Sequence, residues 1–346
     1  MKLGISKLIK ENVAPPNVKN VAIFDNKGNK ICTVPLGHLK MPTDLGNKLY
    51  SFGLLSDIHV IGGSDLGTKE IDINTGYIPA GTKFRRALEY FKNNGCSFVT
   101  HSGDMTTIGF YWKRGDTEKF YTQFQEYKDI CEVVGIPVYG ITGNHESYNA
   151  FIKDDLSELT EYTNIPSFEY SINYGNDVFI FLGMPTSYQP VSDNALEYLE
   201  KTLSENKNKR CFIYVHSQLG DGDSGVLDSV YTSLFKNYGV ENTKRFRNAM
   251  INHGNTIIFH GHTHVNPIEQ LKVSNINFST KLGFRSFHVP SSASSRCMKP
   301  TEDGWIIDNN GGFGYLVDVY KNHLVFKCVD LVTMELYPIG QFCIDL

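Results

Sequence analysis

From about Leu49 onward the chain alternates short apolar runs with amphipathic stretches, and most of the apolar runs stop at residue types that can ligate metals. The runs Leu49–Leu55, Ser97–His101, Val138–Thr142, Val178–Leu182, Phe212–Val215 and Thr256–Phe259 have the length and β-branched or aromatic content of buried strands. Between them, helical spacing of apolar residues predicts Thr82–Asn94, stopped by Gly95, and Thr117–Val134, stopped by Gly135, then Asp193–Glu205 and Asn242–Asn252. The tail returns to strands, with Gly314–Tyr320 and His323–Val329 joined by a short polar turn. Strands separated by helices imply a layered α/β core, here with an antiparallel closing portion.

Five of the predicted strands finish in the same chemistry. Asp57-Ile-His59 follows the first and Gly103-Asp104 the second. Gly143-Asn144-His145-Glu146 follows the third, His216 a later one, and Gly261-His262-Thr263-His264 the last. In open α/β sheets the carboxyl ends of strands are where ligand sites assemble, and rigid strands hold side chains in register. Mixed imidazole and carboxylate donors suit Mn, Fe, Ni or Zn rather than the nearly all-oxygen sites of Ca or Mg. Alternate residues of a strand point the same way, so Asp57 and His59 are expected to reach one ion, and His262 and His264 two adjacent ions. Gly103 and Gly143 are expected to let backbone approach closely beside Asp104 and Asn144. Two divalent ions and a hydroxide, balanced only by the carboxylates of Asp57 and Asp104, leave a net positive site suited to a phosphate anion.

In order and approximate spacing these motifs resemble the calcineurin-like metallophosphoesterase superfamily: D-x-H at 57–59, G-D at 103–104, G-N-H-E at 143–146, His216, and G-H-x-H at 261–264. The resemblance implies a four-layer αββα sandwich, two mixed sheets flanked by helices, over residues 49–346. Residues 1–48 fall outside it and read as a small N-terminal β appendage, since Val21-Ala-Ile-Phe and Lys30-Ile-Cys-Thr-Val flank a turn-rich segment. By resemblance, Asp57, His59, Asp104 and His264 hold one metal, and Asp104, Asn144, His216 and His262 the other, with Asp104 bridging. His145 contacts the scissile phosphate and protonates the leaving group. One departure stands out. Many members carry an acid three residues after the bridging aspartate; here that position is Thr107, which implies a weaker proton donor unless Glu146 or another acid supports His145.

Composition narrows the alternatives. A formal net charge of -4 and no long Lys/Arg-rich appendage argue against a global pull towards nucleic acid. No apolar run approaches the roughly 20 residues of a membrane span, and the polar start Met1–Lys10 lacks a signal-peptide apolar core. Seven scattered cysteines without a C-x-x-C pair fit a reducing, cytoplasmic setting. His101 and His260 precede ligand motifs and are candidates for outer partners of the metals, against a purely structural role; His38, His253, His288 and His323 read as structural or surface residues. Asp221-Gly-Asp223-Ser-Gly225 with Asp228 lacks the full pattern of a calcium loop and reads as a turn. Phe110-Tyr-Trp112 with Arg114, and the hydroxyl-rich run Pro290–Arg296, are candidate substrate contacts, with Arg296 the phosphate-compatible cation.

The expectation is an enzyme that hydrolyses a small phosphomonoester or phosphodiester by a hydroxide bridging two divalent transition-metal ions. A nuclease on DNA or RNA is the alternative within enzymes, and a non-catalytic metal-binding scaffold is the alternative of another class.

Overall fold

A computed structural model describes residues 20–24, 30–35, 44–69, 77–107, 117–147, 157–185, 191–217, 240–267, 285–298, 305–308, 310–337 and 340–346. In chain order its elements are β1 (Asn20–Phe24), β2 (Lys30–Pro35), β3 (Lys48–Leu55), α1 (Ala80–Asn93), β4 (Phe98–His101), α2 (Thr117–Val134), β5 (Val138–Gly140), α3 (Asn144–Ser147) and α4 (Ser157–Tyr162). There follow β6 (Glu169–Tyr174), β7 (Asp177–Leu182), α5 (Asp193–Glu205), β8 (Arg210–Tyr214), α6 (Val240–His253), β9 (Thr256–His260) and β10 (Arg285–His288). The tail holds β11 (Ser295–Met298), β12 (Trp305–Asp308), β13 (Phe313–Tyr320), β14 (His323–Asp330), β15 (Glu335–Leu336) and β16 (Phe342–Asp345).

Two mixed sheets form the centre. One has five strands in the order β10-β9-β8-β7-β6; the other has seven, β15-β14-β13-β3-β4-β5 with β16 beside β14. Within them β3, β4 and β5 are parallel, as are β7, β8, β9 and β10, while β13 and β14 close the larger sheet antiparallel. β1 and β2 pair antiparallel with Asn20 opposite Pro35.

The strands read as continuous apolar runs because both faces are covered. On β7, Phe179 and Phe181 enter the core between the sheets, where Phe179 meets Phe52 edge-on at 5.4 Å and Phe181 stacks on Tyr214 at 4.7 Å. The alternate residues Val178, Ile180 and Leu182 face outward into a second cluster with Leu196 and Leu199 of α5 and Phe246 and Met250 of α6. On the far side α1 turns Phe84, Ala87, Leu88 and Phe91 inward at helical spacing. Phe91 lies so close to β3 that a side chain at Gly53 would clash with its ring, the nearest atom being 2.4 Å away. Helix, sheet, sheet, helix is the four-layer arrangement expected from the resemblance.

The sheets are also tied by a buried polar cluster. Asp177, at the start of β7, accepts from Arg210 Nε at 2.9 Å and Nη2 at 2.5 Å, and from the Tyr50 hydroxyl at 2.5 Å. Arg210 further donates to the Tyr320 carbonyl at 3.0 Å. Asp177→Ala leaves this guanidinium buried without its counter-charge, an expected cost of about 3–5 kcal/mol. Chemical denaturation reads that loss; a change below about 1 kcal/mol would show that the pair contributes no more than an exposed one.

Candidate metal centre

The parallel strands end side by side, and the segments leaving them interlock through their backbones. The Asp57 N–H donates to the Gly103 carbonyl at 3.1 Å, the His59 N–H to Asp104 at 3.0 Å, and the Val60 N–H to Met105 at 2.8 Å. β3 stops at Leu55, so Asp57 and His59 are not strand residues, which corrects the expectation that strand alternation aims them. Asp57, His59, Asp104, His262 and His264 instead adopt positive φ, between 49° and 72°. Each non-glycine residue held there costs of order 1–3 kcal/mol, and such strain persists only where surrounding contacts impose it.

Close approach is built in by glycine. A Cβ on Gly143 would fall 2.2 Å from Asp104 Oδ1, and one on Gly103 (φ 103°) 2.7 Å from His216 Nδ1. Any side chain at either position would displace the neighbouring motif.

All seven predicted ligand residues and His145 converge. Asp57, His59 and His264 form one cluster of donor atoms within 4.8 Å of one another, and Asp104, His216 and His262 form a second. Asp104 lies between them, with Oδ2 3.8 Å from His59 Nε2 and 3.2 Å from His216 Nε2. His264 Nε2 is 3.1 Å from Asp57 Oδ1 and 3.0 Å from His59 Nε2. Asn144 joins the second cluster, Oδ1 lying 2.8 Å from His216 Nε2. His145 flanks both, its Nε2 3.8 Å from Asp104 Oδ2 and its ring 4.6 Å from that of His59.

This donor set fits metal ions. His216 Nδ1 faces the Ser102 carbonyl at 2.8 Å and His59 Nδ1 the Thr106 carbonyl at 3.2 Å. A carbonyl accepts only a proton donor, so each Nδ1 carries its hydrogen and each Nε2 presents a lone pair inward. Those lone pairs confront other acceptors: carboxylates, an amide oxygen, or the second imidazole of a 3.0 Å nitrogen pair. Acceptor against acceptor at such distances calls for a cation between them. A proton is the substitute: burial would depress His216, but the Asp104 and Asp57 carboxylates raise it to about 9. Burial and neighbouring imidazoles hold His59 at about 3, and burial with His216 does the same for His262. Burial opposes ionisation of Asp57 and Asp104, yet the surrounding histidines bring both carboxylates below their usual range. The cluster therefore pairs ionised carboxylates and neutral His59 and His262 with a proton on His216, which a bound cation would displace, since metals take imidazole in its neutral form.

Glu146 spends its carboxylate oxygens on Thr106 and Gly143. Its Oε1 accepts from the Thr106 N–H at 2.9 Å and the Thr106 hydroxyl at 3.1 Å, and its Oε2 from the Gly143 N–H at 2.8 Å. Burial, then the Asp104 charge, pushes it up to about 7. It locks two motif loops together. Thr107 donates its hydroxyl to the His59 carbonyl at 3.1 Å, so it supports the D-x-H turn.

The serine run plays a part that sequence reasoning assigned elsewhere. Ser291 Oγ donates to the Asp57 carbonyl at 2.9 Å, Ser292 Oγ to the Ser56 carbonyl at 3.0 Å, and Ser294 Oγ lies 3.1 Å from His264 Nδ1. Ser291 and Ser292 thus hold the backbone at and beside Asp57, and Ser294 faces the ring of His264. Beneath them Lys83, fully buried on α1, donates Nζ to the carbonyls of Ala293 at 2.5 Å and Gly311 at 3.0 Å. An apolar-face lysine on a predicted helix was the available signal for this buttress. His288, fully buried, sits 2.5 Å from the Thr263 hydroxyl inside the G-H-x-H turn. His101 accepts the Gly103 N–H at 3.3 Å and meets the Tyr127 hydroxyl at 3.0 Å.

Other expectations lie outside the described residues: Met1–Lys10, His38, Phe110-Tyr-Trp112, Arg114, and the 221–228 turn. Arg296 has its backbone in β11, but its side chain is outside them. No helix among the described residues is long and apolar enough to cross a membrane.

Comparison with known proteins bears on the same region. The family model for calcineurin-like phosphoesterases matches residues 50–266. A dimetal phosphatase from Danio rerio is similar over 86% of this chain and 99% of its own, at 12% identity and a TM-score of 0.52. The purple acid phosphatase PPD1 from yellow lupin (Lupinus luteus) is similar over 92% of this chain but 58% of its own, at 14% identity and a TM-score of 0.56. At such identities the likeness is one of fold. No curated protein sequence is significantly similar to the chain.

Proposed function

The chain belongs to the calcineurin-like phosphoesterase family, whose chemistry is metal-dependent hydrolysis of phosphoesters, and on that premise we propose that it hydrolyses a small phosphomonoester or phosphodiester at a binuclear metal centre. Asp57, His59, Asp104 and His264 would hold one ion, and Asp104, Asn144, His216 and His262 the other. Mn, Fe, Zn and Ni all suit these donors. When bound, such ions supply an activated water and neutralise charge on the phosphoryl oxygens.

The observation that carries this reading is the place of Asp104. One carboxylate approaches both donor clusters, with His59 Nε2 and His216 Nε2 at 3.8 and 3.2 Å from the same Oδ2. A single-metal site needs no such shared group. The chain's own residues then divide the remaining work. Ser102 and Thr106 carbonyls hold the tautomers of His216 and His59. The Ser291–Ser294 segment orients Asp57 and His264. His145 would protonate the leaving oxygen, a role supported by the anchoring of its backbone N–H to Asp104 Oδ1 at 2.9 Å. Its side chain is 14% exposed, against 0% for His216 and 9% for His59, so it stands at the mouth of the cluster.

Elemental analysis after refilling with manganese is expected to give two ions per chain at the motif cluster, together with turnover of a generic aryl phosphate. A count that never exceeds one there removes the binuclear assignment. Full occupancy without turnover of monoesters, diesters or oligonucleotides favours the scaffold.

A further inference from the structure

A second convergence of metal-binding side chains lies away from the motif loops, on the closing edge of the larger sheet. β14 and β16 pair antiparallel with His323 opposite Asp345 and Val325 opposite Cys343. Cys343 and Asp345 are two apart on one strand, so the pleat turns both to one face, and His323 joins them there from the neighbouring strand. The other face is the apolar one: Phe326 and Phe342 stack on it at 4.7 Å. An imidazole nitrogen, the thiol sulfur and a carboxylate oxygen of the three residues lie within 4.8 Å of one another. His323 Nδ1 and Asp345 Oδ1 are 2.8 Å apart.

We propose that His323, Cys343 and Asp345 form a separate site for a zinc-class divalent ion, open to solvent on its outer side. One nitrogen, one sulfur and one oxygen make a borderline-soft donor set, suited to Zn or Co and unsuited to Mg or Ca. Three protein ligands with water in the fourth place is a common zinc arrangement. The paired strands hold the three side chains on a rigid frame, while Asp345 is 85% exposed and His323 21%, so an ion can enter without rearranging the core. Burial and the Asp345 carboxylate push the Cys343 thiol up to about 11; a bound cation would reverse that balance and take the thiolate, releasing the thiol proton to water, while the neutral His323 imidazole would offer one ring nitrogen and keep its proton on the other. Arg285 donates to the Asp345 backbone carbonyl at 3.1 Å, a neighbouring positive charge that makes this a weaker, exchangeable site rather than a closed structural one.

Cobalt titration of the full chain tests the proposal independently of the phosphoesterase reading. The motif cluster contains no cysteine, so cobalt bound there gives no sulfur-to-metal charge-transfer band. The wild type is expected to develop such a band, accounting for one cobalt per chain beyond those at the motif cluster and abolished by competing zinc. Cys343→Ser should remove the band while leaving cobalt at the motif cluster. His323→Asn should shift the titration to at least about tenfold higher cobalt, the low end of what even an outer partner contributes. Absence of the band in the wild type at excess cobalt overturns the proposal without recourse to any variant. A band that persists in Cys343→Ser overturns it equally, by assigning the thiolate to another cysteine.

Discussion

Asp104→Ala is expected to lose both metal ions and turnover together, the largest single effect in the chain. Its Oδ2 faces the donor nitrogens of His59 and His216, and its Oδ1 accepts the His145 N–H. Removing this carboxylate takes a ligand from each proposed metal at once and leaves two ions facing each other with less negative charge between them. It also releases the backbone of the proposed proton donor. Asp104→Asn separates these effects, since the amide keeps the shape and one acceptor oxygen but not the charge. Metal content should fall in both variants, while far-UV circular dichroism stays native because the sheets pack through apolar side chains well outside the site. A variant that keeps two tightly held ions, or loses one and keeps the other unchanged, would show that Asp104 does not bridge.

His145→Ala is expected to behave differently: both ions stay and turnover falls by about 10²–10⁴, the range for loss of a general acid. None of the atoms proposed to hold metal belongs to His145. Its role should show in the leaving group. Alkyl esters depart as strongly basic alkoxides and need the proton; activated aryl esters scarcely do. A leaving-group series measured as kcat/KM at equal metal occupancy should therefore become steeper in His145→Ala, with alkyl esters losing most. Uniform loss across the series would reassign the histidine to substrate positioning, and metal loss equal to that of Asp104→Ala would make it a ligand.

Much of the architecture was legible because its signals are local. Apolar runs ending in D-x-H, G-D, G-N-H-E and G-H-x-H identify strands and turns without knowledge of their neighbours. α2 (Thr117–Val134), with its stop at Gly135, and α5 (Asp193–Glu205) have the bounds read from periodicity. β5 is shorter than the run Val138–Thr142 because Ile141 to Gly143 leave the sheet to bring Asn144 beside His216. β6, β10, β11, β12, β15 and β16 were not foreseen. β10 shows why: Arg285-Ser-Phe-His288 is too short and too polar for its pattern to stand out, and it is a strand only because β9 offers it a parallel edge.

The site divides along the same line. By itself the sequence determined which residue types could bind metal and in what order they follow the strands, since those depend on neighbours two or three residues apart. Only the tertiary structure decided how they are aimed. The left-handed turns of Asp57, His59, Asp104, His262 and His264 are held by hydrogen bonds between segments far apart in the chain, such as Ser291 on Asp57 and Asp57 on the His262 N–H at 2.9 Å. The serine run carried hydroxyls that suit phosphate as well as they suit backbone carbonyls, and no local pattern separates the two. Likewise Glu146, one residue from His145, gives a carboxylate oxygen to Thr106, 40 residues away. Partners separated by tens to hundreds of residues are chosen by packing, and packing is a property of the folded chain.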